Sequence, residues 1–210
     1  MNPYRIADSF IIYHIIFTTL FFLVSLGISY FSYKAYRLTK LRRPKLFTYA
    51  FLLLAFSHLF TFVAMSQKLF SGKGQIMMRD SGILEVAMAT YILGIILFFY
   101  TTLKSRDVQV PLVLALIISF VLVFLQHAAF IFHGISTILL AFVAWYYWKS
   151  YARQKHLNNL TIFFAFFAIL LGNLLLVFTQ RHSAFFTVAQ TLQLVGYLAF
   201  LANLIWVLKK

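Results

Sequence analysis

Apolar stretches of about twenty residues alternate with short polar breaks along the whole chain. The stretches fall at 8–33, 46–67, 82–103, 108–128, 129–148, 158–180 and 184–208. Each is close to the twenty or so residues that a helix needs to cross a hydrocarbon core about 30 Å thick. Some breaks are explicit, as at Lys40-Leu41-Arg42-Arg43-Pro44-Lys45, Ser71-Gly72-Lys73-Gly74 and Lys104-Ser105-Arg106-Asp107. The run from Val108 to Trp148 holds no charged residue. It is too long for one crossing at about 1.5 Å of rise per residue, so a hairpin is expected near Gln126, His127 and Ala128. Barrel strands alternate apolar and polar over about ten residues, and these runs are continuous. The pattern predicts an all-α integral membrane protein, a single domain of seven transmembrane helices over residues 1–210.

The basic residues give that bundle a direction. The first loop carries Lys34, Arg37, Lys40, Arg42, Arg43 and Lys45, the third Lys104 and Arg106, the fifth Lys149, Arg153 and Lys155, and the tail Lys209 and Lys210. The other side has only Arg5, Lys68, Lys73, Arg79 and Arg181. Short loops rich in Lys and Arg stay in the cytoplasm. The C-terminus is therefore expected inside and the N-terminus outside, in a multi-pass protein of the plasma membrane.

Composition supports this reading. The chain is 63% hydrophobic and 10% charged, whereas soluble domains run near 45–50% and about 25%. The first stretch has full span length and no small-residue cleavage pattern, so it reads as a retained helix rather than a signal peptide. With no cysteine, disulfides, thiolate metal sites and cysteine nucleophiles are excluded. The net charge of +14 sits in short loops, which suits anionic lipid headgroups and not nucleic acid.

Two segments look alike. Tyr33-Lys34-Ala35-Tyr36-Arg37-Leu38-Thr39-Lys40 and Trp148-Lys149-Ser150-Tyr151-Ala152-Arg153-Gln154-Lys155 each close a span and precede a Phe-rich one. In that register His58 falls on Asn173, and after a gap Tyr91 falls on Tyr197. The expectation is a 3+1+3 parallel repeat, 8–103 and 129–208, joined by a linker helix at 108–128. In helix count, orientation and repeat plan the chain resembles the SWEET and PQ-loop proteins, a resemblance that implies transport. It lacks their prolines within spans, since Pro3, Pro44 and Pro111 all lie at or near span ends. Rhodopsin-like proteins share the topology, but no lysine precedes Lys209 in the last span to hold retinal.

The chemistry must come from few groups. His14, His58, Glu85, His127 and His133 fall at mid-depth or in the non-cytoplasmic half of the expected spans. Ionisable residues at such depths are costly and mark functional sites. His14, His58 and Glu85 are the expected ligand-binding residues, with His14, His58, His127 and His133 as candidate ligands for a divalent metal and His14 with His58 as a candidate pair for a haem. Against a metal, no span contains HxxxH or HxxH. Nothing resembles a nucleophile elbow, phosphate loop or acid pair, so an enzyme is not expected. The bland use of each polar group is interhelical hydrogen bonding. The leading expectation is an outward-facing polar pocket for transport or sensing of a small solute or ion. The alternatives are an accessory subunit packed against another membrane protein or a second copy, and a haem or metal redox protein.

Overall fold

The computed structural model describes residues 8–70, 82–103, 128–178 and 183–209. They form six α-helices: α1 Asp8–Thr39, α2 Arg42–Phe70, α3 Ile83–Thr102, α4 Ala128–Gln154, α5 Leu157–Phe178 and α6 Ser183–Lys209. All six are long and apolar enough to cross a membrane, and no strand occurs among the described residues. The expected fourth span lies outside the described residues except for Ala128, as does His127.

Several helices run past the ends that polarity predicts. α1 continues to Thr39 rather than 33, α2 starts at Arg42 rather than 46, and α4 continues to Gln154 rather than 148. The expected ends were set where basic residues begin, but the helical hydrogen-bond ladder does not stop there. Long basic side chains bury their stems against apolar surface and hold their charges in water, so they extend a helix through an interface. The actual stops are local backbone events. Lys40 and Lys155 take left-handed φ values of 55° and 54°. Their N–H groups donate to the carbonyls of Tyr36 and Tyr151, both at 2.7 Å, closing each helix in the same way. Each ammonium also lies over the ring of that tyrosine, at 5.9 and 5.3 Å. The two segments matched in sequence thus make the same cap.

The helices pack as a ring in chain order, with α6 returning to α1. Most seams are antiparallel: on α1 and α2, Phe21 meets His58 while Ser29 donates to the Thr48 carbonyl. Two seams are parallel. On α1 and α6, His14 lies by Phe186, Phe21 by Tyr197 and Gly27 by Leu201. On α3 and α4, Tyr91 lies by Phe132 and Phe99 by Phe142. All the Lys40-type caps therefore sit at one end, the basic end, and α1, α3, α4 and α6 all start at the other.

Small residues let the tightest seams close. A Cβ on Gly94 would lie 3.0 Å from the Ala50 carbonyl, and one on Gly196 would lie 2.6 Å from the Ala165 carbonyl. Close backbone approach of this kind is how membrane helices gain contact where lipid offers no hydrophobic drive. Toward the basic end the ring is filled by Phe51, Phe98, Phe166 and Phe200, each 1% exposed or less. Phe51 contacts Phe98 and Phe200 at 4.8 and 4.9 Å, and Phe166 contacts the same two at 5.2 and 5.7 Å. The four rings come from α2, α3, α5 and α6 and close the interior below the site. Toward the opposite end the described residues leave the interior unfilled.

Candidate functional site: a cavity between six helices

Above the phenylalanine cluster the six helices enclose a cavity of about 360 Å³. Each helix contributes a helical stripe. α1 supplies Ile11, His14, Thr18 and Phe21, and α2 supplies Ser57, His58, Thr61 and Met65. α3 gives Leu84, Ala87, Met88 and Tyr91, α4 gives Phe132 and His133, α5 gives Asn173 and Leu176, and α6 gives Phe186, Gln190 and Gln193. Spacings of three and four residues put each set on one face of its helix. Residues nearest the open end, Ile11, Met65, Leu84, Leu176 and Phe186, are apolar, while most of the polar groups lie deeper.

Of the residues expected from sequence, His14 and His58 line this one volume. His133 joins them from α4. Glu85 does not: Leu84, Ala87, Met88 and Tyr91 form the lining stripe of α3, and Glu85 sits off that stripe on the exposed side. Among the described residues no group of three or more His, Asp or Glu side chains is placed to hold a metal ion.

The polar groups are engaged with one another. His14 Nδ1 shares a hydrogen bond with Thr18 Oγ1 at 3.0 Å, and the Thr18 hydroxyl donates to the His14 carbonyl at 2.7 Å. The His14 ring also lies 5.2 Å from that of Phe186. The His58 ring stacks on Phe21 at 5.1 Å and meets the edges of Tyr91 and Tyr197 at 6.2 and 6.0 Å. Its Nε2 lies 3.5 Å from the Tyr197 hydroxyl. Beside it Ser57 donates to the Ala87 carbonyl at 2.8 Å, tying α2 to α3.

Across the cavity Asn173, buried on α5, is the hub. Its Nδ2 donates to the Tyr91 hydroxyl at 3.1 Å and to the Ile169 carbonyl at 3.3 Å, while its Oδ1 lies 3.3 Å from His133 Nδ1. The Tyr91 and Tyr197 rings both pack against the ring of His58. Side chains of α4, α5 and α3 are thereby linked in one series, His133–Asn173–Tyr91, and beside it His58 of α2 meets Tyr197 of α6. Buried polar groups in lipid must find partners within the protein, and here they find them across helices far apart in sequence.

Sequence reasoning missed the central place of this series. From sequence His133 is a candidate metal ligand only, and Asn173, Gln190 and Gln193 have no place in the expected site. The usable signal was spacing, because Gln190, Gln193 and Tyr197 recur on one face of the last span. No arrangement along the chain announces that Asn173 and Tyr91 meet. Neither a protein-family model, nor a curated protein, nor a solved structure matches this chain.

Proposed function

We propose that this multi-pass membrane protein receives a small solute in the cavity between its six helices, for transport or for sensing. One observation carries the reading. Side chains from all six described helices, with His14, His58, His133 and Asn173 among them, converge on a single volume that the phenylalanine cluster closes toward the basic end. Small-molecule sites are typically concave, mostly apolar and furnished with a few placed polar groups.

The finer topology belongs to the same proposal. α3 and α4 run parallel, which supports the expectation of a further span between them in the chain, at 108–128. The excess of Lys and Arg at the closed end favours a cavity facing away from the cytoplasm, in contact with anionic lipid at the basic face. The matching caps at Lys40 and Lys155 support the 3+1+3 repeat, as do the matching approaches of Gly94 to Ala50 and Gly196 to Ala165. Those approaches favour Gly94 opposite Gly196, a register one turn away from Tyr91 on Tyr197.

The lack of native cysteine makes the test direct. Thr61→Cys, Gln193→Cys and Phe200→Cys variants are treated, in intact cells, with a membrane-impermeant thiol reagent. Thr61→Cys and Gln193→Cys are expected to label from outside and Phe200→Cys to remain unlabelled. Labelling of the first two only after the cytoplasmic face is exposed would reverse the orientation. No labelling from either side would remove the cavity as a solute site.

A further inference from the structure

We infer that the cavity selects an uncharged solute whose polar head both donates and accepts hydrogen bonds, such as a primary amide, and whose apolar body points to the open end. This deepens the proposed solute-binding role and rests on it. The first support is the lining: among the described residues it contains no Asp, Glu, Lys or Arg. Glu85, the acid nearest in sequence, lies off the lining stripe. An ion drawn from water into such a site would lose several kcal/mol of hydration with no fixed opposite charge to offset it.

The second support is the polarity of the hydrogen-bond series. The Ile169 carbonyl only accepts, so the Asn173 group facing it is the amide nitrogen. Asn173 Oδ1 therefore faces His133 Nδ1, which must carry the proton in that bond. A neutral His133 then keeps a lone pair on Nε2, an atom with no hydrogen-bond partner among the described residues. At the other end, Tyr91 accepts from Asn173. The Tyr197 hydroxyl faces His58 Nε2 at 3.5 Å, and with the phenol donating, the ring nitrogen accepts. His58 is then protonated at Nδ1.

The two lining histidines thus leave one acceptor, His133 Nε2, and one donor, His58 Nδ1–H. An amide side chain does not pass protons on, so the Asn173 link fixes orientation and does not conduct charge. A head group with one N–H or O–H and one carbonyl or hydroxyl oxygen satisfies both imidazoles. The apolar residues near the mouth, Ile11, Met65, Leu84, Leu176 and Phe186, suit the rest of such a molecule.

The test uses the full chain in lipid nanodiscs with ¹⁵N-labelled histidine, titrated with four probes of similar size: benzamide, benzoate, benzylammonium and toluene. In the free protein the His133 ring is expected to show an unprotonated Nε2, and a protonated Nε2 would overturn the polarity. Benzamide is expected to shift the His133 and His58 ring nitrogens saturably, binding about ten-fold or more tightly than the other three. Benzoate or benzylammonium binding as tightly as benzamide would overturn the uncharged class and leave the cavity as a solute site. Toluene doing so would overturn recognition of a polar head. No saturable shift with any probe would overturn the underlying solute-binding reading itself.

Discussion

The two halves of the bundle, divided across its axis, solve the interior of a helix ring in opposite ways. Toward the basic end Phe51, Phe98, Phe166 and Phe200 fill the ring with fully buried aromatic edges and faces. Toward the other end His14, Thr18, His58, His133, Asn173, Gln190 and Gln193 line an open volume. The same helices build both halves, so the difference lies in side chains alone. In lipid, apolar burial adds little drive, and stability comes from close packing and satisfied polar groups. The phenylalanine half supplies the first. The cavity half spends its polar groups on one another and leaves room for a guest.

Breaking the packed half should have the largest effect. Phe166→Ala removes a ring that touches Phe98, Phe200 and Tyr147. A loss toward the lower end of the about 3–5 kcal/mol typical of buried Phe-to-Ala changes is expected in reversible unfolding from mixed micelles. Gly196→Val comes next. The added carbons would press on the Ala165 carbonyl and on Ile169, and about 1–3 kcal/mol should be lost as α5 and α6 separate. An unchanged unfolding midpoint for either variant would mean that the packed half is not what holds the ring.

Smaller effects on stability and larger effects on binding should mark the cavity half. Asn173→Leu strands His133 Nδ1 and the Tyr91 hydroxyl and should cost about 1–3 kcal/mol. The same variant should free the His133 ring, so its ring-nitrogen spectrum should become a mixture of tautomers. His58→Phe keeps the stacking on Phe21 and loses only the long 3.5 Å bond to Tyr197. Its stability should move by about 0.6 kcal/mol, the average for hydrogen bonds between membrane helices, while binding in the cavity is lost. Glu85→Gln should move neither quantity measurably, because the residue is exposed and off the lining stripe. Loss of binding in that variant would restore Glu85 to the site.

The sequence by itself determined the material and much of the plan. Runs of apolar residues as long as a bilayer is thick admit only helices, since backbone groups in hydrocarbon must bond within their own segment. The like endings at Lys40 and Lys155 were also legible, because a cap is a local event fixed by neighbouring residues. So was the depth of His14 and His58 in their spans, because depth follows from position along a helix. Two things were not legible. Helix ends were misplaced by several residues, because interfacial lysines and tyrosines are polar in composition yet helical in geometry. The hub of the site was also hidden, because it depends on which faces of distant helices meet. Asn173 reaches Tyr91 only once α5 and α3, on either side of α4, face one interior, and Glu85 leaves the site by a single step around α3. Rotation of each helix about its axis is set by close packing at Gly94 and Gly196 and by the interlocked phenylalanines. Those are contacts between residues far apart in the chain, so only the tertiary structure decides which polar groups share the cavity.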